Sequence, residues 1–118
     1  MNTAGSGPRS GGTGGGVTLR LIKRPSPGFW AIFEQRRVRA DADKAGMTVP
    51  DAVGLIQGPV AAMLAAADIA EKAAAVKVVE VRGVCPTHFT VVAVLGDTSA
   101  VAAALTAVSE DLDDTCFR

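Results

Sequence analysis

The stretch Arg82 to Thr90 reads RGVCPTHFT and holds the only histidine of the chain and one of its two cysteines. Cys85 and His88 stand three residues apart across Pro86 and Thr87. A thiolate beside an imidazole is a donor pair for zinc, copper or an iron-sulfur cluster, and it is also the pairing of a cysteine nucleophile with its base. Each chemistry needs more than the pair. A zinc site of the usual kind takes a second pair of ligands, which the chain lacks, and a nucleophile needs an orienting acid and an enclosed pocket. The plainer alternative is a turn in which proline fixes φ and shortens the loop.

The flanking residues favour a turn. Val76 to Arg82 and Phe89 to Leu95 are rich in β-branched residues, so they read as two strands of a hairpin joined through Gly83, Val84, Cys85, Pro86, Thr87 and His88. Upstream, VTLRLIK (Val17 to Lys23) alternates Val17, Leu19 and Leu21 with Thr18 and Arg20, the period-two pattern of a strand with one buried face. RPSPGF stops it. Phe29 to Ala45 has helix-compatible spacing in Trp30, Phe33 and Val38, with Arg36, Arg37, Arg39 and Asp41 facing outward. Ala52 to Ile56 reads as a short strand before Gly58 and Pro59. A helix follows from about Pro59 to Ala75, since proline at a first helical turn forfeits only a donor that would be orphaned anyway. Its polar residues Asp68, Glu71 and Lys72 form one stripe, with Asp68 and Lys72 in the favourable acid-before-base order. Asp97 or Thr98 caps a last helix, Ser99 to Ser109, ahead of an acidic tail. The fold class is therefore α/β (α+β), with the element order βαβαββα.

Composition bounds what such a domain can do. Of the 118 residues, 48% are apolar but only 4% aromatic, so alanine dominates and few large side chains can bury area at roughly 25 cal/mol per Å². Association with further copies would supply the missing burial. Residues 1–16 carry seven of the thirteen glycines and read as a flexible tail ahead of a domain at 17–110 and an acidic tail at 111–118. Those glycines lack the lysine and hydroxyl of a phosphate-binding loop. The net charge is zero. Basic residues collect in the first half and Glu110, Asp111, Asp113 and Asp114 near the end, which suits head-to-tail contacts better than nucleic acid. No signal-peptide pattern appears, and the run Val60 to Val76 is broken by Asp68, Glu71 and Lys72, so neither secretion nor a membrane is expected.

Four stretches in this order and spacing resemble the bacterial microcompartment shell proteins, in particular their circularly permuted single-domain branch of the ethanolamine and propanediol type. They are VTLRLIKRP, VPDAVGLI, AAADIAEKAAAVKVVEV and VAVLGDTSAVAAAL, and opening with the VTLRLIK strand marks the permuted form. The resemblance implies a ferredoxin-like antiparallel sheet with helices in a permuted microcompartment domain. It implies a cyclic homohexamer that tiles a shell in the bacterial cytoplasm, with other shell proteins and encapsulated enzymes as partners and no catalysis of its own. The hairpin turn would then line a central pore for small metabolites, so Gly83, Val84, Cys85, Pro86, Thr87 and His88 become its lip. Lys72 matches the lysine that family members place at the hexamer edge.

Two departures stand out. Permuted relatives often build a small barrel ahead of the first strand, whereas SGGTGGG has little strand propensity. Relatives also tend to carry glycine and serine at the pore, where this chain has VCPTH. No cofactor is expected. The alternative, which some relatives illustrate, is an iron-sulfur cluster or soft metal held by Cys85, with His88 as a further donor. A small ferredoxin-like regulatory or ligand-binding module is the competing function, since the same strands and helices build one.

Overall fold

β-Branched runs and alanine-rich runs alternate along the chain, and each becomes the element that its side chains favour. The computed structural model describes residues 16–38, 49–82 and 89–114, with side chains through 112. In order these are β1 (Thr18–Lys23), α1 (Pro27–Arg36), β2 (Ala52–Pro59), α2 (Val60–Ala73), β3 (Lys77–Val81), β4 (Phe89–Gly96) and α3 (Thr98–Asp114). The four strands form one antiparallel sheet in the order β1-β2-β4-β3. This is the expected βαβαββα order.

β2 and β4 are central and covered on both faces, which is why they read as nearly continuous apolar runs. On one face Ala52, Ile56, Val92 and Val94 pack with Met63, Ala66 and Ala70 of α2 and Val101, Ala104, Leu105 and Val108 of α3. Residues 63, 66 and 70 recur at helical spacing, and two of the three are alanines, so α2 lies close to the sheet. Burying a side chain such as Met63 completely stabilises by about 1.5–3 kcal/mol. On the other face Val53, Val79, Val81, Ala93 and Leu95 pack with Phe33, and Phe29 and Trp30 lean on the same cluster. These three aromatics form one group with ring centroids 5.2–5.6 Å apart, so they serve the core.

Several boundaries differ from the sequence-based expectation. α1 begins at Pro27, because Ser26 is its N-cap: Ser26 Oγ accepts the Phe29 N–H at 3.2 Å and proline takes the first position. It ends at Arg36, well short of Ala45. The cause is tertiary: Arg37 bridges Val81, the Val38 N–H donates to Glu80 O at 2.8 Å, and the Arg82 N–H donates to Arg36 O at 2.6 Å. The chain leaving α1 thus covers the free edge of β3. Arg37, expected to face outward, is only 4% exposed, with its guanidinium 5.9 Å over the Phe33 ring and Nη1 3.5 Å from Glu34 Oε2. Arg39 and Asp41 lie outside the described residues.

β2 continues through Pro59 because β4 pairs with it as far as Phe89, which delays α2 to Val60. Gly58 is needed there, since a Cβ would lie 2.9 Å from Val17 Cγ2 and 3.1 Å from Met63 Cε. The alternation of VTLRLIK holds for Val17, just ahead of β1, and in part for Leu19, but not for Leu21, which is 37% exposed on an edge strand. α3 runs five residues past Ser109, so the first four residues of the expected acidic tail, 111–114, are helical. Asp97 is its cap: Oδ1 accepts the Ala100 N–H at 2.8 Å and the Ser99 hydroxyl at 3.0 Å.

Candidate assembly and pore surfaces

The hairpin that carries the opening motif is present, with β3 and β4 paired from Lys77↔Leu95 to Val81↔Val91. Thr90 Oγ1 donates to Glu80 Oε2 at 2.9 Å, tying the two strands together next to the turn. Residues 83–88 themselves, including Cys85 and His88, lie outside the described residues. Among the described residues no group of three or more His, Cys, Asp or Glu side chains could hold a metal ion.

The residues that flank 83–88 in the chain are described. Phe89, the first residue after it, pairs with Pro59 at the end of β2, and Pro59 leads directly into α2. Phe89 is 41% exposed, and Val60 and Leu64 on the first turns of α2 are 43% and 68% exposed. Three large apolar side chains, at the start of β4 and on the first turns of α2, therefore stay in water. Composition alone gave no sign that these three would stay exposed.

Lys72 sits twelve residues along α2 from Val60, about 18 Å away at 1.5 Å per residue. Its Nζ lies 2.9 Å from Asp68 Oδ2, and both side chains are well exposed, at 76% and 61%. The Asp68 carboxylate, first by its hydrogen bond and then by its charge, holds the Lys72 ammonium above the usual lysine value. Among the described residues Lys72 pairs with Asp68 of its own helix, an exposed contact.

Two concavities lie among the described residues. A cleft of about 420 Å³ is lined by Asp51, Lys77 and Asp97 together with Val49, Pro50, Leu95 and Gly96, but the Asp97 carboxylate in it is occupied by capping α3. A groove of about 340 Å³ lies on the α1 face of the sheet, where Arg20, Arg36 and Gln57 border Phe29, Ile32, Leu55 and Val91. No helix among the described residues is long and apolar enough to cross a membrane.

Comparison with known proteins agrees with this architecture. The model of the BMC domain matches residues 52–116. β1 precedes that span and still pairs along its whole length with β2. A ligand-free structure of the GrpU microcompartment shell protein from Clostridiales bacterium 1_7_47FAA is 33% identical, covering 79% of this chain and 88% of that one, with a TM-score of 0.59. The GrpU shell protein from Pectobacterium wasabiae is 29% identical over 78% of this chain and 99% of that one, with a TM-score of 0.61. A fused permuted hexameric shell protein from the RMM microcompartment shares the fold, with a TM-score of 0.63 at 19% identity over 82% of this chain and 46% of that one. No curated protein matches. With the family model covering more than half of the sequence and a shell protein one-third identical along most of it, the chain belongs to the BMC-domain family and is a structural protein of a bacterial microcompartment shell.

Proposed function

We propose that the chain forms a cyclic hexamer of the permuted class, with residues 83–88 of six copies around a central pore for small metabolites and no catalytic step of its own. The observation that carries this is the exposure of Val60, Leu64 and Phe89, large apolar side chains at the start of α2 and at the start of β4, whose Phe89 pairs with Pro59 next to Val60. Apolar patches left in water mark contact sites, and a ring of copies would cover these next to the axis. Lys72, at the far end of the same helix, would then lie at the periphery and meet neighbouring hexamers. The position of β1, outside the span of the family model yet completing the sheet, supports the permuted assignment.

Sedimentation velocity at micromolar concentration tests it. Wild type should run as a hexamer and Leu64→Glu as smaller, still folded species. A wild-type dimer would instead favour the regulatory module, and a stable monomer would remove the ring altogether.

A further inference from the structure

The lining of the groove on the α1 face is part apolar and part cationic. Phe29, Ile32, Leu55 and Val91 supply the first, Arg20 and Arg36 the second. Among the described residues neither arginine lies within ion-pair distance of a carboxylate, and Arg36 reaches only the Arg82 carbonyl, at 3.5 Å. The occupant this asks for is an acidic segment with apolar character.

The chain itself carries such a segment. Residues 110–118, EDLDDTCFR, begin in the last turns of α3, which hold no basic residue. Carboxylates at a helix C-terminus stand against the negative end of its dipole and need cations from elsewhere. Glu110 and Asp111 have no ion-pair partner among the described residues. Their own groove is on the wrong side: Val108 and Leu112 pack α3 onto the sheet face opposite α1. The two surfaces match in charge but cannot readily meet within one copy.

We infer that the acidic end of α3 and the residues following it, 110–118, dock into the groove of a second copy, with Arg20 and Arg36 facing the carboxylates. This rests on the hexamer reading and names a contact within it. The contact is heterologous, groove to tail, which is the kind that closes a ring.

The test uses the full chain in two variants, Arg20→Glu/Arg36→Glu and Glu110→Lys/Asp114→Lys, followed by sedimentation velocity at one concentration. Arg20, Arg36 and Glu110 are exposed, and circular dichroism checks folding. Each variant alone should lose about tenfold or more in association. Mixed one to one they should recover the hexamer, because every reversed groove then finds a reversed tail. Independently of any substitution, wild-type association should weaken as salt rises. Three results overturn the inference: variants that assemble like wild type, which would leave the groove to a cargo segment or a small amphipathic anion; salt-insensitive wild-type assembly; and recovery only when both pairs are reversed in one chain, which would put the tail in its own groove. A wild type that never forms hexamers refutes the ring reading first and is distinguished from these because the wild type alone reveals it.

Discussion

Gly54 of β2 lies directly beneath Leu105 of α3: a Cβ on the glycine would sit 2.9 Å from Leu105 Cδ2 and 3.1 Å from its Cγ. Leu105 is 9% exposed and can yield little. Gly54→Ala should destabilise by about 1–3 kcal/mol, the usual cost of overpacking a core. Leu105→Ala alone should cost about 2–5 kcal/mol by leaving a cavity. Because the two touch, the double variant should lose less than the sum. Denaturant titrations at a fixed protein concentration measure all three, and strict additivity would refute the contact.

The cap of α3 makes folding sensitive to acid. The Ala100 N–H, and then the Ser99 hydroxyl, hold the Asp97 carboxyl below its usual 3.8. A carboxyl lowered by folding contributes stability that is complete above its unfolded value and is lost as pH falls through the folded one. Asp97→Asn should therefore retain the cap and abolish that part of the acid dependence, while Asp97→Ala should lower the melting temperature at neutral pH. Thermal melts between pH 2 and pH 6, about the range in which an aspartate titrates, check this. Identical acid profiles for wild type and Asp97→Asn would contradict it.

Lys72→Ala should leave the melting temperature near wild type, since exposed ion pairs contribute little. Assembly is where it should act, with fewer extended sheets in electron micrographs although hexamers persist. A raised lysine pKa places any contribution of the Asp68 pair below the usual 10.5 and removes it as pH climbs through the higher folded value. An unfolded Lys72→Ala protein would show that the residue belongs to the fold.

Cys85 should react with a small thiol reagent in the native assembly if residues 83–88 form a pore lip. A bound soft metal or cluster is the sharper possibility, and it predicts metal co-purifying under anaerobic conditions that vanishes in Cys85→Ser while the assembly survives. Labelling that requires denaturation would place the thiol in the core and end the pore reading.

From the residue pattern alone the order of all seven elements was determined, because period-two runs such as VTLRLIK and alanine-rich runs such as VAAMLAAADIAEKA carry their secondary structure in local spacing. So was the Asp68–Lys72 pair, which depends only on helical geometry four residues apart. The family likeness was legible for the same reason, as segments in sequence order. What tertiary structure decided is where non-local partners meet. α1 stops at Arg36, and Arg37 turns inward, only because β3 offers an unpaired edge that residues 37–38 cover. β2 outlasts its apolar run because β4 continues to Phe89, and Leu21 stays wet because its strand is at the sheet edge. The groove flanked by Arg20 and Arg36 joins residues far apart in the chain, and so does the pairing of Phe89 with Pro59 beside the exposed Val60. Such surfaces depend on strand order, which hydrophobic periodicity does not encode: period two gives the face a side chain takes, not the neighbour it finds there.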